Sequence, residues 1–267
     1  MFRLLGLDGY LTFIRKAFFV VFNAGYLKND PVYSWHYFVP RLIHENDVII
    51  DIGANMGYYA AIFARAVGNG GRVYCVEPVV PLYRQLSKQL SGRKNVCLLP
   101  YALGAANEDG IVVGVPENFR SLGYLRHGFL SLQEKSSEAD GRYTFRAKLR
   151  KGSELFSFLQ RIDYIKCDIE GHEAIVFEDM TDLLAKHRPI IQVEINGAEF
   201  DRVAGLFREL GYEGYKLING ALVDISSLSR EKKMHFDTLF VPPEYFSRIM
   251  PFVGQEIIGR KVAGNCV

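Results

Sequence analysis

Ionisable residues recur at the ends of apolar runs in this chain. Asp51 closes "DVIID", Glu77 closes "GRVYCVE", Asp168 and Glu170 close "DYIKCDIE", and Glu194 closes "RPIIQVE". Carboxylates so placed can accept hydrogen bonds from a diol, neutralise a cationic group, orient a hydroxyl or take its proton. Asp168 and Glu194 together have the oxygen ligands for a divalent cation as a further use. His172 and Glu173 crowd the same turn as Asp168 and Glu170. Acids also suit a helix N-terminus, so Glu170 and Glu173 have a capping role open to them. His172 alone is a weak signal, and its weight comes from its neighbours.

Between Asp51 and the next helical pattern the chain reads Gly53-Ala54-Asn55-Met56-Gly57. Two glycines let the backbone turn sharply and approach a ligand. The helix behind them offers unpaired N–H groups and a positive dipole end. Glu77, at the end of the second strand, is placed to accept hydrogen bonds from a ribose. The turn is close to a dinucleotide fingerprint but departs from it. Tyr59 and Ala60 stand where a third glycine belongs, and Asn55 replaces the middle glycine that admits a pyrophosphate. Asp51 would repel a pyrophosphate and favour a cationic amino acid portion. S-adenosylmethionine has a ribose, an ammonium and a sulfonium, and no phosphate, so it suits this turn best. An NAD-dependent oxidoreductase and a non-catalytic binding protein on the same fold are the alternatives.

These residues need elements to hold them. "DVIID" (47–51) is a continuous apolar run of the buried parallel-strand type. A helical spacing follows over 56–68, then a strand over 71–78, a helix over 82–90 and, over 95–104, a third strand running into a loop. From 105 to 150 the pattern weakens to two extended segments around a long loop, of the kind that often binds ligands. Alternation resumes with a strand at 163–171, a helix at 172–187, a strand at 188–197 and a helix at 198–211. Asn219-Gly220 between two short apolar runs predicts a hairpin over 215–225, and a last strand follows at 235–243. This order predicts a doubly wound, Rossmann-like α/β sheet with ligands at the carboxyl ends of its strands.

The chain has 267 residues and a formal net charge of +2, with no basic block that would call for a nucleic-acid partner. That length supports one domain over 45–267 with an N-terminal helical segment over 1–44, packing on the domain or acting as its lid. Residues 9–27 are aromatic and aliphatic, but Arg15 and Lys16 interrupt them, and 17–27 is too short to span a bilayer. No small-residue cleavage site follows, so a secretory leader is not expected. A helix lying in a membrane interface is the sharper alternative, which would put a cytoplasmic protein against the inner face of a membrane. The cysteines at 75, 97, 167 and 266 show no metal spacing and read as buried free thiols in a reducing compartment.

Taken together, "VIIDIGANMGYYAAIFARAVGNGGRVYCVEP", "NVCLLPYALG", "DYIKCDIEGHEAIVF", "RPIIQVEI" and "FDTLFVP" resemble the FkbM-type methyltransferases, a branch of the class I S-adenosylmethionine-dependent enzymes. The resemblance covers roughly 45–245 and leaves the N-terminal forty residues aside. It implies a seven-stranded sheet, mostly parallel, whose last strand is antiparallel and lies beside the fifth. It implies O-methylation of a hydroxyl on a sugar, glycolipid or other secondary metabolite. Carried over, Asp51, Gly53, Ala54, Asn55 and Gly57 would line the methionine portion, Glu77 the ribose, and Pro78, Ala102 and Leu103 the adenine. Asp168 would sit nearest the transferred methyl, with Glu170, His172 and Glu194 around the acceptor. Ser131 would be a further contact. Residues 147–155, "AKLRKGSEL", depart from the family's usual segment on the acceptor side.

Overall fold

The computed structural model describes residues 2–115, 131–132, 143–169, 171–195, 197, 199–233 and 237–254. Its centre is a sheet whose strands are short apolar runs. They are β1 (Val48–Ile52), β2 (Arg72–Val76), β3 (Val96–Leu99), β8 (Tyr164–Cys167), β9 (Ile190–Glu194), β10 (Glu213–Ile218), β11 (Ala221–Asp224) and β12 (Asp237–Val241). The spatial order is β11-β10-β12-β9-β8-β1-β2-β3. Strands β3, β2, β1, β8 and β9 run parallel, and β12 enters antiparallel between β9 and β10. The sheet therefore has eight strands rather than seven. The eighth is β11, the second arm of the hairpin, which pairs with β10 at the sheet's edge. Asn219 and Gly220 make the turn with φ of 49° and 80°, the left-handed geometry that an Asn-Gly pair accepts.

A second sheet holds β4 (Tyr101–Leu103), β5 (Glu108–Val115), β6 (Ser131–Leu132) and β7 (Tyr143–Arg150), in the order β4-β7-β5-β6. The strand and loop expected over 95–104 are thus two strands in two sheets, separated at Pro100, which cannot donate to a ladder. The weak pattern after 105 conceals a real ladder between β5 and β7. The loop expected between them lies mostly outside the described residues.

Helices cover both faces of the main sheet. They are α1 (Phe2–Asn23), α2 (Ser34–Phe38), α3 (Tyr58–Ala66), α4 (Val80–Gln89), α5 (Gly152–Leu155), α6 (Glu173–Asp179), α7 (Thr181–His187) and α8 (Phe200–Glu209). The helix expected over 172–187 is broken into α6 and α7 at Met180, whose φ and ψ are −88° and 7°. Strand alternation divides the core. Ile49 and Tyr164 pack with Phe63 of α3 and with Trp35 and Phe38 of α2. Ile50, Ile52, Ile165 and Cys167 pack on the opposite face with Phe177 and Phe207. Each such large side chain, fully buried, contributes roughly 1.5–3 kcal/mol. Asp51 and Lys166 fall on the Ile49 face by the same alternation, so the sheet's most hydrophobic region carries two charges at its ligand end. Cys75 and Cys167 are buried free thiols, but Cys97 is exposed, because β3 is the edge strand. Cys266 lies outside the described residues.

Helix α1 crosses the carboxyl end of the sheet and is fixed to α4 by polar contacts. Asp8 meets Lys88 at 2.9 Å and accepts from Gln85 Nε2 at 2.8 Å. Buried Arg15 donates through Nε to Gln85 Oε1 at 3.2 Å and through Nη1 to Gln89 Oε1. The two cations read together in the sequence therefore separate, Arg15 buried against α4 and Lys16 exposed. No described helix is long and apolar enough to cross a membrane.

Candidate active site

The turn after β1 is built from backbone. Gly53 and Ala54 both donate their N–H groups to the Val76 carbonyl, at 3.0 and 2.9 Å. Gly53 has φ of +77°, and a Cβ there would lie 1.9 Å from the carbonyl oxygen of Asp168. Only glycine lets the turn approach the end of β8 so closely. Asn55 takes the left-handed region at φ 52°, and its Oδ1 accepts from the Met56 N–H at 2.8 Å. Asparagine tolerates that conformation better than other side chains do. Gly57 turns into α3 at φ +89°, and a Cβ there would lie 3.1 Å from Leu86 Cδ1 of α4.

Two buried carboxylates flank this turn. Glu77 accepts from the Asn55 N–H through Oε2 and from the Val79 N–H through Oε1, both at 2.9 Å. Burial pushes its carboxyl up to about 7, against the pull of those two N–H groups, and Asp51 and Asp168 add to the rise. Asp51 is 1% exposed, and its Oδ2 has no hydrogen-bond partner among the described residues. Burial pushes it up to about 7 as well, Lys166 working against the rise and Asp168 with it. A buried carboxylate oxygen without a donor is costly in the folded chain and calls for a cationic or hydrogen-bonding ligand.

Lys166 is the hub of the charges. It sits in register with Asp51 on β1 and with Gln192 on β9. Its Nζ donates to Asp168 Oδ2 at 3.0 Å and lies 4.6 Å from the centre of the Tyr59 ring. Burial alone would lower its pKa, but Asp168, Asp237, Asp51 and Glu194 outweigh burial and hold it above the ordinary lysine value. Behind it, Tyr164 donates to Gln192 Oε1 at 2.8 Å, and Gln192 Nε2 donates to Tyr59 at 3.2 Å and to Asp237 Oδ2. His36 stacks on Tyr59 with ring centres 4.1 Å apart. Burial first, and the Lys166 charge second, press its pKa down to about 3, so the imidazole is neutral and a poor proton acceptor.

Lys166, Tyr59 and His36 border one cavity of about 530 Å³, a volume within the range of small-molecule sites. Asp51, Gly53, Ala54, Asn55, Glu77, Pro78, Ala102, Leu103 and Asp168 all line it. Gly57, His172 and Glu194 are not among the described residues lining it. Gly57 serves the packing of α3 on α4. His172 stands just before α6, and Glu194 ends β9, from where its charge acts on Lys166 and Lys216. Glu170 lies outside the described residues. Glu173 caps the turn, Oε1 accepting from the Ile169 N–H at 3.1 Å and Oε2 from the Gly171 N–H at 2.9 Å. Ser131 pairs with Gly114 between β6 and β5. No group of three or more His, Cys, Asp or Glu among the described residues is arranged to hold a metal ion.

Residues 51–213 match the methyltransferase FkbM domain family, well over half of the chain. The chain belongs to the FkbM methyltransferase family. A protein-L-isoaspartate O-methyltransferase of Methanosarcina mazei is 42% identical over 57 residues, which are 21% of this chain and 24% of that protein. A solved FkbM methyltransferase from Methylobacillus flagellatus is similar at 14% identity with a TM-score of 0.48, over 78% of this chain and 47% of its own. The fibrillarin of Aeropyrum pernix, solved with S-adenosyl-L-methionine bound, is similar at 16% identity with a TM-score of 0.43, over 74% and 67%. The chain thus spans about a quarter of the curated relative and under half of the solved FkbM protein. The FkbM match includes Asp51, Glu77, Lys166 and Asp168 but not α1, His36 or Asp237.

The sequence reading missed Lys166 as the charge hub, His36, and the side chains of α1 on the cavity wall. One signal was available: a lysine inside the apolar run "YIKC" is out of place unless it is paired.

Proposed function

We propose that this FkbM-family chain is an S-adenosylmethionine-dependent O-methyltransferase whose acceptor is a hydroxyl on a sugar, glycolipid or other secondary metabolite. The observation that carries this reading is the pair Asp51 and Glu77, two buried carboxylates on either side of one glycine turn, one with an unpartnered oxygen. The pair fits a ligand with an ammonium at one end and a ribose at the other, and it disfavours a pyrophosphate. Asp51 receives the ammonium. Glu77, already fixed by two backbone N–H groups, has lone pairs left for a diol. Pro78, Ala102 and Leu103 flank the adenine.

S-adenosylmethionine, when bound there, supplies a methyl group on a sulfonium leaving group. The chain positions the acceptor and handles one proton. Asp168 is the acid that both lines the cavity and contacts Lys166, with 30% of its side chain exposed. It orients the hydroxyl and takes its proton as the oxygen–methyl bond forms, since earlier removal from an alcohol is uphill. Lys166 holds Asp168 in place through its 3.0 Å contact with Oδ2.

Thermal-shift and calorimetric titration with S-adenosylhomocysteine and NAD test the donor site. S-adenosylhomocysteine is expected to raise the melting midpoint and NAD to leave it unchanged. The reverse result would support an oxidoreductase. Asp168→Asn is expected to keep S-adenosylhomocysteine affinity and lose methyl transfer, read as a gain of one methyl by mass in glycan and lipid extracts. Wild-type transfer by that variant removes Asp168 from the mechanism.

A further inference from the structure

The cavity has a second wall that a methyl donor does not use. Helix α1 supplies Ile14, Ala17, Phe18 and Val21 to it, at the spacing of one helix face, and Leu27 follows. One end of this face turns to the donor half, where Ile14 packs with Met56 and Val79. The other end turns to the acids. Phe18 lies 4.3 Å from the Tyr58 ring, 5.7 Å from Tyr33 and 6.0 Å from His36. His36 stacks on Tyr59, and Tyr59 lies under the Lys166 ammonium that holds Asp168. A continuous series of ring contacts thus joins the apolar face to the reacting end of the cavity.

The charges of α1 point elsewhere. Arg15 is committed to Gln85 and Gln89, and Asp8 to Lys88 and Gln85. A free sugar laid on Phe18, Val21 and Leu27 would bury hydroxyls against carbon, which is unfavourable without replacement hydrogen bonds. A chain of methylenes gains there instead. The wall also leads outward: Phe13 lines the cavity yet is 49% exposed, and Val20 and Tyr26, beside Val21 and Leu27, are 68% and 82% exposed.

We propose that the acceptor is an amphiphile, with its hydroxyl at Asp168 and an aliphatic body lying along Phe18, Val21 and Leu27. The placement of the hydroxyl rests on the methyltransferase reading; the apolar subsite does not. The test is calorimetric titration of the full chain with methyl, hexyl, octyl and decyl β-D-glucosides below their micelle concentrations, with and without S-adenosylhomocysteine. Affinity is expected to rise with chain length, by about fourfold for each methylene that enters the wall. Val21→Trp fills the wall and Val21→Asp charges it. Both variants are expected to lose the chain-length dependence and keep S-adenosylhomocysteine affinity. Equal affinity across the wild-type series, or an unchanged slope in both variants, overturns the proposal. Absence of S-adenosylhomocysteine binding sinks the methyltransferase reading alone, because the slope measured without it still decides the subsite.

Discussion

Replacing Asp51 with asparagine is expected to stabilise the folded chain at about pH 8 while weakening its hold on the donor. Burial raises the Asp51 carboxyl from 3.8 to about 7. The folded state therefore keeps a proton that the unfolded state releases between those values. A group with a raised folded pKa is neutral in its effect below the unfolded value, and its cost is complete above the folded one. At ~1.36 kcal/mol per pH unit, that gap corresponds to about 4 kcal/mol of destabilisation in the ionised form. Asparagine removes the charge but buries an amide, which returns roughly 1–3 kcal/mol of the gain. The net expectation is a gain of about 1–3 kcal/mol at about pH 8 that reverses to a loss near about pH 4, where the charge cost is nearly gone and the buried amide remains. Urea unfolding of both proteins at the two pH values reads this directly. Calorimetry should show S-adenosylhomocysteine bound about tenfold to hundredfold more weakly, since a charged hydrogen-bond acceptor for its ammonium is gone. A natively folded Asp51→Asn chain no more stable than wild type at about pH 8, or one that binds S-adenosylhomocysteine as well, would refute the reasoning.

Three further outcomes are expected. Glu77→Ala orphans the Asn55 and Val79 N–H groups, each costing about 1–3 kcal/mol, and S-adenosylhomocysteine affinity falls tenfold or more; unchanged urea midpoint and calorimetry would dismiss both roles. Lys166→Met leaves Asp51, Asp168, Asp237 and Glu194 without their shared cation, at about 3–5 kcal/mol near neutral pH. Asp51 and Asp237, the two buried members, are raised by burial and held down by Lys166, so without it they titrate higher still; the loss should shrink as pH falls from about 8 to about 5, and an equal loss at both would count against the hub. Gly53→Ala forces a Cβ against the Asp168 carbonyl at positive φ and should cost at least about 2 kcal/mol in thermal unfolding; a silent substitution would contradict the close approach.

The strand–turn–helix from Asp47 to Gly68 was legible because its signals are local: an apolar run, then residues suited to positive φ, then helical spacing. Alternation along "YIKCD" (164–168) likewise puts Lys166 and Asp168 on one side. It did not reveal the burial of Lys166, whose carboxylate partners come from β1, β9 and β12 as well as its own strand. Helix α1 was readable as a helix, but its place over the cavity rests on Arg15 meeting Gln85, seventy positions away. The break at Met180 carries no glycine or proline to announce it. The second sheet was obscured by charge and by Gly110, where the pairing of β5 with β7 slips between Asp109 and Ile111. The Asn-Gly turn was visible, whereas the extra edge strand it creates is a matter of tertiary pairing.

The contact between Gly53 and the Asp168 carbonyl has a mechanical consequence. In the proposed reaction, the turn assigned to the donor and the strand tip assigned to the acceptor meet backbone to backbone. On that proposal, one joint registers donor and acceptor, and neither drifts without carrying the other. A displacement reaction depends on its angle of attack, and errors of about an ångström cost rate steeply. The absent methyl of one glycine is then the alignment gauge of the proposed reaction.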